Sequence, residues 1–238
     1  MSADALRTGL RGVGQTLITF GAVVLLFVFY ELQITNLVTA QAQDRLDDQL
    51  EQTWSEPVRA PVTAAPAPAG PEVEVPELEV PELGAAFARL HVPSLPDYEP
   101  WNVVSGVTVE DLKAGPGHIP GTALPGQVGN VVLSGHRTTY GAPFNRWSEL
   151  APGAMVVLET RDRWFTYTVT GSEIVSPNAI EVTFPVPGDA SAVPTRSLLT
   201  MTTCHPKYSA RQRLIVSAEL TATDDKSAGL PAALAMGT

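Results

Sequence analysis

Leu198-Leu199-Thr200-Met201-Thr202-Thr203-Cys204-His205-Pro206 is an apolar and β-branched run that stops at a thiol and is then broken by proline. Proline offers no N–H to a ladder, so a strand over this run ends here and leaves Cys204 at its edge. Nine residues on, Arg213 opens a second run, Leu214-Ile215-Val216-Ser217-Ala218-Glu219-Leu220. Sixty-eight residues before the thiol, Val131-Val132-Leu133-Ser134 ends in Gly135-His136-Arg137. A thiol, an imidazole and a guanidinium therefore all stand at strand ends. Cys204 is the one cysteine of the chain, which excludes an intramolecular disulfide framework and a multi-cysteine zinc site. A free cysteine is commonly buried and inert, so reading it as a nucleophile depends on His136 and Arg213 reaching it.

Around these runs, from Phe87 onward, short apolar stretches alternate with Gly, Pro and Asn clusters. Strands are expected at 86–92, 101–105, 130–135, 155–159, 164–170, 198–203 and 214–220, with one short helix at 143–150. Phe165, Tyr167 and Val169 alternate with Thr166, Thr168 and Thr170, the period of two that a half-buried strand requires. Many short strands separated by turn signals read as an all-β barrel or sandwich. The stretch 170–194 carries four prolines and few apolar runs, and is expected to be loop.

The region before the domain is different in kind. Residues 13–30 form an uncharged, mostly apolar segment of eighteen, bounded by Glu31 and extendable through 32–38. At 1.5 Å per residue about 20 residues cross a hydrocarbon core, so 13–36 is expected to be a transmembrane signal-anchor helix. Arg7 and Arg11 precede it and mostly acidic residues follow, which puts residues 1–12 in the cytoplasm and the remainder outside the cell. Cleavage after Ala40-Gln41-Ala42 is the weaker reading, because the apolar stretch is longer than a signal peptide's and ends about ten residues earlier. Residues 37–84 are expected to be an extracellular acidic and proline-rich linker. Within it, seven prolines between Pro57 and Pro81 and the near repeat Glu74-Val75-Pro76-Glu77-Leu78, Glu79-Val80-Pro81-Glu82-Leu83 favour an extended spacer. The net charge of −10 belongs to this linker: residues 43–82 hold ten acidic and two basic side chains, whereas 85–222 hold eleven and ten. A nearly neutral domain lacks the basic face that nucleic acid requires, so no nucleic-acid partner is expected. Residues 223–238 read as a flexible tail.

Ser134-Gly135-His136-Arg137, Thr202-Thr203-Cys204 and the following Arg213 resemble the sortases, membrane-anchored cysteine transpeptidases of Gram-positive bacteria. The form Thr-Thr-Cys-His-Pro, with Gly117-His118-Ile119-Pro120-Gly121-Thr122 upstream, is most similar to the class E sortases of high-GC actinobacteria. The resemblance covers residues 85–222. It implies an all-β fold, a closed barrel of about eight strands with short helices, and it brings the three strand ends together. It also implies that Cys204 attacks the Thr-Gly bond of a C-terminal sorting motif on a surface protein, and that a cell-wall peptide amine resolves the thioacyl intermediate. Each residue type suits its part. Cysteine attacks as its thiolate, the imidazole of His136 exchanges the proton, and the fixed fork of Arg213 suits a developing oxyanion. Arg211 shares a strand face with Arg213, but the spacing from Cys204 favours Arg213. Thr203 and Thr202, beside the nucleophile, are expected to help place substrate, and Tyr140 and His118 are expected to border the cleft. His205, next to Cys204, points to the opposite face of a strand and is expected to pack beside the site. Arg137 and His91 are expected to be structural. No metal or cofactor is expected. Class E relatives commonly carry tyrosine where this chain has Ile119, a residue linked with preference for Leu-Ala-x-Thr-Gly over Leu-Pro-x-Thr-Gly. Isoleucine cannot donate that hydrogen bond, which leaves both motifs open here. Two other readings remain at this stage: a non-enzymatic binding or scaffold barrel with an inert Cys204, and a pilus-polymerising sortase.

Overall fold

Alternating burial along the expected strands closes them on one another. The computed structural model describes residues 3–55 and 80–235. Eight strands, β1 (Ala86–His91), β2 (Trp101–Ser105), β3 (Gly117–His118), β4 (Gly129–Ser134), β5 (Met155–Glu159), β6 (Arg163–Val175), β7 (Ser197–His205) and β8 (Gln212–Asp225), form a closed barrel. Their order around it is β1-β2-β3-β4-β7-β8-β6-β5. The β2/β3 and β4/β7 pairs are parallel and the remaining pairs antiparallel. The core is filled by Leu90, Val103, Val131, Leu133, Val156, Leu158, Phe165, Tyr167, Leu199, Met201 and Val216. Consecutive residues of a strand point to opposite faces, so with Leu199 and Met201 inside, Thr200, Thr202 and Cys204 lie on the outer face of β7.

All seven expected strands form. Two reach much further than their apolar cores suggested: β6 continues through Gly171 to Val175, and β8 to Asp225, joined rung by rung from Arg163↔Asp225 to Val175↔Arg213. Register shifts at Thr166/Tyr167 and Val169/Gly171 interrupt the alternation, and Gly171-Ser172-Glu173 carries no apolar signal, so the period of two stopped at Thr170. The start of the expected 170–194 loop is therefore strand. The helix expected at 143–150 is reduced to a 3-10 turn, Trp147–Glu149, with Phe144 stacked on Trp147 at 4.2 Å. The small elements that were not foreseen include β3 and α2 (Val109–Ala114), which begins in a capping box between Thr108 and Asp111.

Helix α1 (Ala3–Ser55) is unbroken and is long and apolar enough to cross a membrane, with none of its apolar window buried against the barrel. Beyond that window it does not separate from the domain as the expected linker from residue 37 would. Thr39, Leu46 and Leu50 are buried, and Gln43 clasps β2: its Nε2 donates to Asn102 O (3.1 Å) and Ala114 O (2.8 Å), while its Oε1 accepts from Asn102 N (2.7 Å). The polar residues after the apolar segment are those of an amphipathic stem whose partners lie forty or more residues away, which no local pattern discloses. The proline-rich spacer lies outside the described residues.

The end of the chain also departs from expectation. The expected flexible tail from 223 is strand to Asp225, and Lys226 donates to Glu159 at 2.6 Å. Then α3 (Ala232–Ala235) follows, with Ala233 buried against Val157 and Trp164. Glu159 is 5% exposed and accepts from both Lys226 and His91 (2.8 Å), so His91 is structural, as expected. Burial raises the carboxyl's pKa, but the hydrogen bonds from His91 and Lys226 outweigh it and hold the group below the usual glutamate value. A carboxyl depressed on folding stabilises above its unfolded pKa and loses that contribution as pH falls through the folded value. Glu159→Gln is expected to cost about 3 kcal/mol at pH 7 and to flatten the fall of Tm below pH 4.5. Unfolding of the two proteins between pH 7 and 3 checks this, and parallel Tm curves would contradict it.

Candidate active site

Three strand ends meet at one end of the barrel. In the parallel β4/β7 ladder Ser134 is opposite Thr202, and Gly135 N donates to Thr202 O at 3.2 Å. His136 follows in the loop after β4, between Gly135 and Arg137, and the latter's Nη1 donates to Cys204 O at 3.1 Å. Across the other edge of β7, Cys204 is the direct partner of Arg213 in the β7/β8 ladder. His136 just past β4, Cys204 on β7 and Arg213 on β8 are each half-buried. Cys204 is half-buried and lies outside the core cluster. Arg211, by contrast, lies in the exposed turn before β8.

The histidine comes from a tight loop that follows β4. Phe144 N donates to His136 O at 3.0 Å and closes the loop. A Cβ on Gly135 would come within 2.8 Å of the buried Phe144 ring, so glycine is required there for the close approach. Tyr140, held at φ +52°, packs on His136 with ring centroids 4.9 Å apart. Burial lowers the His136 pKa below the ordinary imidazole value, which favours the neutral ring that can accept a thiol proton.

The arginine of β8 is restrained by its own turn: Arg213 Nη1 donates to Ala210 O and Gln212 O, both at 3.0 Å. Arg213→Ala is expected to lower kcat/KM by about 10²-fold or more, as loss of an oxyanion donor does, while Arg211→Ala retains activity. Peptide-cleavage rates of the two variants check the assignment, and the reverse order would overturn it.

The remaining expected site residues divide. Thr202 shares the outer face with Cys204 and is half-buried, where substrate can reach it. Thr203 points inward, is 2% exposed, and donates its hydroxyl to Gly135 O at 2.7 Å. Its hydroxyl is committed to the loop that carries His136, so it positions that loop and is not free for substrate. His118 is also corrected. It is 3% exposed in β3, with Nε2 bonded to Ala123 O (3.0 Å) and Thr122 Oγ1 (2.9 Å), and it pins the 119–123 turn from inside. Its partner in the ladder is Leu133, a core residue, which is why the glycine- and proline-rich surroundings misled.

Sequence reasoning missed the reach of Arg137. This residue is 5% exposed, and its Nη1 donates both to Cys204 O (3.1 Å) and to His205 Nδ1 (2.9 Å). An arginine can only donate, so His205 Nδ1 is the acceptor and carries no proton. Asn145 Nδ2 in turn donates to Arg137 O (2.9 Å) and Lys207 Nζ to Asn145 Oδ1 (2.8 Å), tying the histidine loop to the β7–β8 turn. The only signal in the sequence was an arginine adjoining His136, and nothing local says that it is buried.

A family model described as the sortase domain matches residues 90–221, more than half of the chain. The chain belongs to the sortase family. Among curated relatives, Sortase SrtE1 of Streptomyces coelicolor is 30% identical over 94% of this chain and 60% of its own length, and Sortase SrtE2 of the same organism is 29% identical over 89% and 82%. This sortase therefore spans less than two thirds of the first relative. Sortase E from Streptomyces avermitilis superposes with a TM-score of 0.59 at 40% identity, over 64% of this chain and 99% of that one. Sortase E1 from Streptomyces coelicolor, solved with a tripeptide in the active site, gives 0.59 at 33% identity, over 63% and 97%. Class E sortases are thus among the relatives both in sequence and in fold.

Proposed function

We propose that this sortase is a membrane-anchored transpeptidase that cleaves a C-terminal sorting motif, Leu-Ala-x-Thr-Gly or Leu-Pro-x-Thr-Gly, between Thr and Gly. The observation that carries this reading is the pairing of Cys204 with Arg213 in the β7/β8 ladder, with His136 in the loop that follows β4, the neighbour of β7 on its other edge. Cys204 Sγ attacks the threonine carbonyl as its proton passes to His136. The oxyanion faces the Arg213 fork, and the intermediate collapses when the imidazolium returns the proton to the glycine amine as the C–N bond breaks. The acyl group remains on sulfur until an amine of a cell-wall peptide attacks, displaces the thiolate and forms a new amide. In this reading Thr202 and Tyr140 contact the substrate: Thr202 shares the outer face of β7 with Cys204, and Tyr140 packs on His136. The span at 13–36 anchors the chain with its N-terminus in the cytoplasm and the barrel outside, where surface proteins bearing sorting signals and peptidoglycan amines are met.

The full chain, incubated with both peptide types and an amine acceptor, tests the reading. Ligated product that depends on the amine and disappears in Cys204→Ala supports transpeptidation. Release of free acid unaffected by amine would indicate a protease, and no product from a folded protein whose thiol resists alkylation would indicate a binding module. Ile119 sits in the turn pinned by His118, with its carbonyl accepting from Thr122 Oγ1 at 2.7 Å. It lacks a side-chain donor, so the two motifs are expected to be cleaved within about tenfold of each other, the ~1.4 kcal/mol of one modest hydrogen bond.

A further inference from the structure

We propose that residues 36–54 of α1 are a docked stem that holds the His136–Phe144 end of the barrel against a lipid bilayer, so that the catalytic cleft works at the headgroup layer. The inference takes 13–30 as the hydrocarbon span and, for its consequence on substrate choice, rests on the proposed transpeptidation.

The contacts run in order along the helix. Asn36 Oδ1 accepts from Gly141 N at 2.9 Å, in the loop that carries His136 and Tyr140. One turn on, Thr39 Oγ1 donates to Lys113 O at 2.8 Å and its side chain meets the same loop, where Gly141 (φ +70°) has no room for a Cβ against Trp101. Gln43 then clasps Asn102 and Ala114, Asp47 pairs with Arg89, and Leu46 and Leu50 are buried. At the far end Lys226 stands 4.1 Å from the Trp54 ring, and Arg161 donates to Thr53 O. Five turns of continuous helix bonded in this way leave no hinge between the membrane span and the barrel.

Helix rise converts sequence position into height. Asn36 is six residues beyond Tyr30, about 9 Å. A headgroup layer is about 5–8 Å deep on each side of the hydrocarbon core. The Asn36–Gly141 hydrogen bond therefore sits at the outer edge of that layer, whereas Thr53 and Arg161 are about 25 Å higher. The β7–β8 turn, linked to the same loop through Lys207 and Asn145, presents Tyr208 at 86% exposure next to Lys207. An aromatic and a cation of this kind suit the membrane–water boundary. The extended spacer expected of the proline-rich segment does not set this height, because α1 meets the barrel before that segment begins.

The test uses the full chain in phosphatidylcholine vesicles. In a Cys204→Ala background that removes the native thiol, a fluorophore is attached either at Thr138→Cys in the histidine loop or at Asp162→Cys in the exposed β5–β6 turn. Lipids carrying a headgroup nitroxide are expected to quench the first label at least threefold more than the second. Equal quenching, or stronger quenching at 162, would overturn the proposal. In Gln43→Ala/Leu50→Asp the difference is expected to disappear; a persisting difference would mean that the stem does not set the orientation. Activity is read separately, with native Cys204. The intact protein is expected to cleave a lipid-anchored sorting peptide about tenfold faster than the same peptide free in water, and the undocked variant to lose that advantage. If neither peptide is cleaved, the transpeptidase reading fails while the quenching ratio still decides the orientation.

Discussion

Cys204→Ala is expected to lower kcat/KM on Thr-Gly peptides by on the order of 10⁴-fold or more, because the route through a covalent intermediate is lost entirely. His136→Ala removes the proton carrier and is expected to cost about 10²- to 10⁴-fold. The double variant should be no worse than Cys204→Ala alone, since residues that act as one unit are not additive. Both positions end strands instead of filling the core, so the melting temperature should change little in either variant. The pH dependence has a defined sign. Burial lowers the His136 pKa, so its titration, followed by NMR in Cys204→Ala, should have its midpoint below 6.5. A midpoint above 6.5 would show that the ring is held charged by a partner, and the proton route from the thiol would need revision.

Arg137→Met is the second large expectation. The methionine keeps much of the apolar stem, but Cys204 O and His205 Nδ1 both lose their donor. Hydrogen bonds from a charged donor contribute about 1.5–3 kcal/mol each, and the relief of a buried guanidinium whose Nε has no partner offsets part of this. A net loss of about 1–3 kcal/mol in stability is expected. A fall of about 10²-fold in kcat with KM nearly unchanged is also expected, since a misplacement of about 1 Å at the nucleophile is enough. Arg137 is a positioning residue, and the split between kcat and KM distinguishes that role from simple destabilisation. Arg137→Lys should recover less than half of the stability loss, because one ammonium does not reproduce the fork that spans two acceptors. Equal losses in kcat and 1/KM would argue instead for direct contact with substrate.

These two expectations differ in where they came from. Cys204, His136 and Arg213 were singled out because each adjoins an apolar run, and the edge of such a run is a local property. Arg137 adjoins His136 in sequence yet was read as a bystander, since its importance arises from burial beneath β7. Thr203 shows the reverse case. Its neighbourhood to Cys204 suggested a role toward substrate, but side chains alternate along a strand, and it falls on the inward face with its hydroxyl on Gly135 O. His118 was misjudged for a related reason: glycine and proline around it suggested a cleft loop, while two rungs of pairing with β2 and β4 turn it inward.

The elements themselves follow the same division. Seven strands and the apolar span were determined by the sequence alone, because hydrophobic periodicity and run length are set by neighbours two to twenty residues apart. The closure of the barrel, the pairing of Cys204 with Arg213, the extension of the β6–β8 ribbon and the docking of α1 were decided by the tertiary structure. Each of these depends on partners far apart in the chain: Gln43 with Asn102, Glu159 with Lys226, Val175 with Arg213. A local pattern records which face of an element is apolar. Which surface covers that face, and which polar groups end up buried against it, is settled only when the distant segments pack.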